Sequence, residues 1–501
     1  MSTSMCKEHQ ADPRLAYHLS LLRLDRSNEQ EEKASLAPIF TGSVLGQPKL
    51  APPQYGLLGG VKSIKTSSYA SAENEMIKKD PRLFFNVSSP SSTFICGSQG
   101  SGKSHTLSCI LEGCLILSKA GRLLNPLTAV VFHYDTFICD NGGSPCEAAF
   151  LASHSSIKVR VLCAPTNLLT IQKTYSRFNI KVEPLQIDQA NLSTKRMLDL
   201  MAVGQDSGPV PLYVHTVQRI LREMRLLQQK AGSQFDYNDF KERILVSGLL
   251  PGQMEPLKQR LDTLESFMPP QQVALNNKGN GKQANPRGAG SNWKPKASQL
   301  TIVDLSCPCI SPDIACSLFN VCFGIFMEQD TEIGRIVALD EAHKYMKDSA
   351  EARNFTDTLL STVRLQRHLG ARILISTQEP TISSDLLSLC SVTIVHRFSS
   401  PAWIRALQGH VAGAALDVQP NQETSAYDDE HPENTEIARK FLVFHRIVHL
   451  QVGEALLFSP SAVSCTASGG SQELKNLGSG YMVIKIRDRL TEDGGKSVMS
   501  S

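Results

Sequence analysis

The chain has 501 residues, 41% hydrophobic and 20% charged, with a formal net charge of +3. That supplies apolar material for one large core or two to three ordinary ones, and the charge is too even for the single-sign excess of an obligate nucleic-acid binder. The 13 cysteines are scattered, with Cys307 and Cys309 the only close pair, which reads as reduced thiols of an intracellular, soluble protein of cytoplasm or nucleus.

The first residues hold no apolar signal core and no stretch approaches transmembrane length, so no membrane insertion is expected. Residues 1–80 read as a poorly ordered N-terminal arm. Its first part is polar apart from Leu15, Leu19, Leu21, Leu22 and Leu24, which suit one short amphipathic helix, and the rest is rich in Gly, Pro and Ser. Residues 81–169 read as the first part of a core. Thr93-Phe94-Ile95-Cys96 is a short strand-type run, and Leu107, Ile110, Leu111 and Cys114 recur at helical spacing. Between them Gly97-Ser98-Gln99-Gly100-Ser101-Gly102-Lys103-Ser104 spells G-x-x-x-x-G-K-S.

Those residue types are what a phosphate cradle needs. Glycines let backbone N–H groups curl round phosphate oxygens, Lys103 brings a cation to the β and γ phosphates, and Ser104 offers a hydroxyl to Mg²⁺. A chance glycine loop is the bland alternative, but this one has a strand before it and a helix after it. With His105, these residues are the candidate nucleotide-binding set, and ATP with Mg²⁺ is the expected ligand.

Residues 128–134 form a second strand ending at Asp135, and residues 157–162 alternate apolar and basic side chains as a half-exposed edge strand would. Residues 170–275 read as a mostly helical insertion: Ser193 suits the cap of a helix through Met201, Val214, Val217, Leu221 and Met224 share one helical face, and Leu257, Leu261, Leu264 and Met268 another. His215, on such a helix, has no second ligand at metal spacing, and no Cys/His set elsewhere has it. Residues 276–298 carry Lys278, Lys282, Arg287, Lys294 and Lys296 without an acid, together with Trp293. They read as a flexible basic linker, either a solvated connection or an arm gripping a polyanion with Trp293 stacked on a base.

Residues 299–460 read as the second part of the core, with strands at 300–305, 336–339, 372–377 and 392–396. Residues 461–501 form a C-terminal extension; the runs at 454–458 and 481–486 close the sheet edge or pack beside it. Alternating strands and helices call for an α/β fold, a largely parallel sheet with helices on both faces and ligands at the carboxyl ends of its strands.

Three further features carry chemistry. The apolar run at 336–339 ends in Asp340 and Glu341; beside a phosphate cradle the first suits Mg²⁺ and the second the attacking water, whereas alone the pair is a solvated acidic turn. Gln378, ending the strand 372–377, suits a γ-phosphate sensor. Arg364 and Arg367 lie near one another on one helix surface and are either an arginine finger for a neighbour's nucleotide or surface cations.

These pieces, in this order, resemble the HerA/FtsK superfamily of P-loop motor ATPases, in the branch whose second motif reads DEAH. The matching text is GSQGSGKS at 97–104, IVDLS at 302–306, ALDEAHKYM at 338–346, RHLGARILISTQEP at 367–380 and GEALLF at 453–458, roughly half the chain. The resemblance implies a RecA-like ATPase fold, assembly into a homo-oligomeric ring and ATP-driven movement of DNA or another substrate through the pore. It assigns phosphate and Mg²⁺ binding to Lys103 and Ser104, metal and water roles to Asp340 and Glu341, sensing to Gln378 and the trans-acting arginine to Arg367. Asp135 matches an acid of the family only in position. The family's N-terminal barrel is absent, and DNA rests on analogy alone. The whole chain also resembles a group of fungal P-loop NTPases that share the insertion and the ending at 489–495, which implies no function. A nucleotide-gated interaction protein, in which ATP sets the shape of the insertion, is the reading from a different class.

Overall fold

The computed structural model describes residues 17–18, 21, 26–65, 77–201, 212–273, 290–329, 332–415, 442–468 and 471–494. The strands, in chain order, are β1 (Ile39–Thr41), β2 (Tyr55–Lys65), β3 (Arg82–Asn86), β4 (Ser92–Cys96), β5 (Gly121–Arg122), β6 (Thr128–His133), β7 (Lys158–Cys163), β8 (Lys181–Pro184), β9 (Gln299–Asp304), β10 (Arg335–Leu339), β11 (Ala371–Thr377), β12 (Val392–Val395), β13 (Glu454–Phe458), β14 (Val463–Ser468), β15 (Ser471–Asn476) and β16 (Tyr481–Ile486). They form one sheet in the order β15-β14-β1-β3-β2-β16-β13-β12-β4-β11-β10-β6-β9-β7-β8, with β5 on β2.

From β12 to β8 every pairing is parallel. Its central strands are continuous apolar runs because both faces are covered. Alternate residues divide between two cores: Phe94, Val130, Phe132, Val337, Leu339, Ile373 and Ile375 face one side, and Ile95, Ala129, Val131, Ile336, Ala338 and Leu374 the other. The first core is closed by helices Pro312–Glu328 and Ala350–Leu369 and by the insertion, the second by helix Lys103–Leu115. Ser311 and Ser349 start the first two helices by accepting the N–H groups of Ile314 and Ala352.

The insertion packs by the periodicity seen in sequence. Val214, Val217, Leu221 and Met224 of helix Leu212–Ala231 and Leu257, Leu261 and Leu264 of helix Pro251–Ser266 are buried, and the Ser193 hydroxyl accepts the Arg196 N–H at the start of helix Thr194–Met201.

Four expectations are corrected. The arm is not poorly ordered over residues 39–65: β1 and β2 enter the sheet, with β2 antiparallel to β16 and β3. Residues 157–162 are not an edge, since β7 lies between β9 and β8; the edge is β8, inside the segment read as helical. The described end of the basic linker is packed rather than flexible: Ser291 N–H and Oγ bond to Gln186, and Arg160 donates to the Asn292 carbonyl. Trp293 is 5% exposed, so its ring is unavailable for stacking on a base. Lys278, Lys282 and Arg287 lie outside the described residues, as do Leu15, Leu19, Leu22 and Leu24.

Candidate functional site

The glycine loop leaves the end of β4 with positive φ at Gly97 (153°), Gly100 (71°) and Gly102 (111°). A side chain on Gly97 would also place its Cβ 2.7 Å from His396 Cβ, so both space and backbone sign require glycine there. Within the loop the Ser101 hydroxyl donates to the Ser98 carbonyl at 2.7 Å, and Ser98 N–H to the Arg397 carbonyl at 2.9 Å, tying the loop to the chain after β12. Lys103 is 4% exposed and its ammonium donates to the Ser98 carbonyl at 3.1 Å. Burial lowers its pKa, and the carboxylates of Glu341 and Asp340 act against that shift. Gln99 and Gly100 are exposed and Ser104 half-exposed. His105 donates Nε2–H to the Arg487 carbonyl at 2.8 Å, its Nδ1 lying 3.3 Å from Asp493.

Behind the loop, His396 spans from the Thr106 hydroxyl (2.9 Å) to the Glu454 carbonyl (3.0 Å). A carbonyl only accepts, so Nδ1 carries the proton and Nε2 accepts from Thr106. Burial first, then the nearby charge of Lys103, push this imidazole down to about 3, keeping it neutral.

The strand order brings the second and third features to the loop. β11 lies between β4 and β10, so Gln378 emerges between the cradle and the acids. Glu341 has φ 48°, a left-handed conformation unusual for a non-glycine residue. Its carboxylate accepts from Gln378 Nε2 at 3.1 Å and lies 3.9 Å from Lys103 Nζ. His343 Nδ1 accepts the Gln378 N–H at 3.4 Å and sits 3.5 Å from Glu341; burial lowers its pKa despite the raising charge of Glu341. Lys103, Glu341, His343 and Gln378, read from three separate motifs, thus form one contact network.

Asp340 is 3% exposed. Its Oδ2 accepts from His133 Nδ1 at 3.1 Å and from the Cys146 thiol at 3.5 Å, while Oδ1 has no hydrogen-bond partner. Burial would raise this carboxyl; the hydrogen bond and charge of His133 outweigh it and hold the pKa below its usual value. An ionised carboxylate with a free oxygen and the Ser104 hydroxyl are hard oxygen donors, so the residues fit Mg²⁺. His133 and Cys146 were not singled out from sequence: each is one polar residue in apolar surroundings, and 207 positions separate His133 from Asp340.

The other candidates lie apart. Arg364 and Arg367 are exposed near the end of helix Ala350–Leu369, which feeds the start of β11. Seven residues of strand, about 23 Å, separate that end from Gln378. Both arginines therefore lie nearer the amino end of β11 than the end that carries Gln378. Asp135 pairs with Lys344 at 3.1 Å. An open cleft of about 800 Å³, lined by His343, Arg353, Asp357, Glu379 and Asp385 among others, adjoins the network.

No protein-family model and no curated protein matches the chain. Among solved structures it is similar to VirB4 of Thermoanaerobacter pseudethanolicus, at 11% identity and a TM-score of 0.43 over 87% of this chain and 96% of that one. It is also similar to the plasmid coupling protein TrwB in complex with the non-hydrolysable GTP analogue GDPNP, at 12% and 0.44 over 89% and 98%. A third similarity is to the genome packaging NTPase B204 of Sulfolobus turreted icosahedral virus 2 in complex with AMP, at 12% and 0.20 over 35% and 65%. The fold stands on the strand order and loop geometry: it is an α/β P-loop fold of RecA-like type. In motif order the chain is similar to P-loop ATPases of the HerA/FtsK kind.

Proposed function

We propose that the chain is an ATPase that hydrolyses ATP with Mg²⁺ and works as a ring-forming motor on a polymer, DNA being the substrate suggested by analogy. One observation carries this reading: the glycine loop, Glu341 and Gln378 meet in a hydrogen-bonded network at the carboxyl ends of three neighbouring parallel strands. The loop N–H groups receive the phosphates. Lys103, now on the Ser98 carbonyl and beside Glu341, exchanges those partners for phosphate oxygens. Glu341 is the base for the attacking water, and Gln378, already bonded to it, reports the γ phosphate. Ser104 and Asp340 would hold Mg²⁺, which when bound neutralises phosphate charge. Arg367, with Arg364, would reach the nucleotide of a neighbouring subunit.

The test is steady-state ATP turnover of the purified chain with and without double-stranded DNA, single-stranded DNA and RNA. Lys103→Ala is expected to lose nucleotide binding, and Glu341→Gln to bind ATP but stall. Folded protein with no ATP affinity at any Mg²⁺ concentration would sink the proposal. Slow turnover indifferent to every polymer would favour nucleotide-gated interaction instead.

A further inference from the structure

His133 Nδ1, Cys146 Sγ and Asp340 Oδ2 lie within 4.8 Å of one another, and all three residues are buried. They come from three places: the end of β6, the entry to the short helical turn Glu147–Ser153, and the residue after β10. The separations of 3.1 Å from nitrogen to oxygen and 3.5 Å from sulfur to oxygen are close to the roughly 3.3–3.8 Å between ligand atoms around a tetrahedral zinc with bonds of about 2.0–2.3 Å. A second observation points the same way. Asp340 Oδ1 is buried without a hydrogen-bond partner, so the carboxylate at the cluster holds coordinating capacity that the protein's own atoms leave unfilled.

We propose that His133, Cys146 and Asp340 form a binding site for a thiophilic divalent cation of the zinc type. One nitrogen, one sulfur and one carboxylate oxygen are a zinc-like set, whereas Mg²⁺ takes oxygen alone. Three protein ligands leave a fourth position for water, the pattern of an open rather than a closed structural site. Binding breaks the Cys146 S–H and His133 Nδ1–H bonds and forms a sulfur–metal and a nitrogen–metal bond; both protons leave to solvent, Nε2 keeps the imidazole's remaining hydrogen, and no oxidation state changes.

Filling the site fastens Asp340 to the cluster. If Asp340 serves as proposed above, zinc then competes with Mg²⁺ for one carboxylate and slows hydrolysis. The binding site itself does not depend on that role.

The experiment uses the full chain, stripped with a chelator and titrated with cobalt(II) alone. One equivalent is expected to give a thiolate-to-cobalt charge-transfer band in the near ultraviolet, displaced by one equivalent of zinc. Cys146→Ser should lose the band, and His133→Gln should keep a thiolate but bind zinc at least tenfold more weakly. Cys307→Ser with Cys309→Ser, removing the close sequence pair, should leave the band intact. A parent without the band, a band that survives Cys146→Ser, or one that vanishes with the Cys307 and Cys309 changes overturns the proposal. Should Cys146→Ser fail to fold, unchanged zinc affinity in His133→Gln overturns it. Absence of ATP turnover bears on the function alone, since the band is read without nucleotide.

Discussion

Glu341 holds its carboxylate against Gln378 through a backbone at φ 48°, a conformation that costs an L-residue about 1 kcal/mol or more. Glu341→Gly is therefore expected to match or exceed the parent in stability, by up to about 1 kcal/mol in urea unfolding, while abolishing hydrolysis; a clear loss of stability would show that no strain is stored there. His396 makes a second prediction, in pH. Its folded pKa, pushed down to about 3, lies below the ordinary value of 6.5. Below about pH 6.5 the unfolded chain takes up a proton that the native one refuses, so stability present above that pH is lost as pH falls toward about 3. His396→Asn should show a flatter decline over that window than the parent. That Lys103, Glu341 and Gln378 meet was legible in sequence because each ends a strand or opens a helix within a recognisable motif. His396, His133 and Cys146 were not, since their partners are set by strand order and not by spacing.

The segment 487–494 after β16 lies on the cradle helix. Glu112 of that helix is 0% exposed and accepts from Arg487, from the N–H groups of Leu490 and Thr491, and from the Thr491 hydroxyl. Burial raises this carboxyl, but those bonds hold its pKa below 4.5, so its contribution to stability is present above about pH 4.5 and lost as pH falls through the folded value. Glu112→Ala takes the paired carboxylate from the Arg487 guanidinium, 8% exposed, while Arg489 keeps Glu147 at 2.6 Å. It should cost about 3–5 kcal/mol in chemical denaturation. At this scale the central strands were legible as unbroken apolar runs. β2 was not, because its glycines read as loop. They mark close approach instead: a Cβ on Gly59 would lie 2.2 Å from the Lys485 carbonyl, and one on Gly56 2.8 Å from Gly113. β8 was missed because an edge strand of polar residues carries no hydrophobic period.

For the whole molecule, the distance of Arg367 from its own site leads to a prediction about assemblies. In the proposed motor the γ phosphate's charge would be only partly offset by Lys103 and a bound cation, and in P-loop enzymes a guanidinium arriving from a neighbour adds about three to five orders of magnitude in rate. Mixing Arg367→Ala subunits with Lys103→Ala subunits should restore turnover that neither variant shows alone; full activity of Arg367→Ala by itself would remove the arginine from the mechanism. The pairing of β2 with β16 bears on how the molecule is made. Residues 59–65 are made before residues 481–486, which lie more than four hundred positions later and pair with their second edge. Until then β2 is held by β3, by β5 and by its packing on helix Lys103–Leu115, and its edge toward β16 stays unpaired. The nascent chain thus acquires its α/β centre before the antiparallel strands that join β2 to it are complete, so its exposure to misplaced pairing is concentrated in the interval before residues 481–486 emerge.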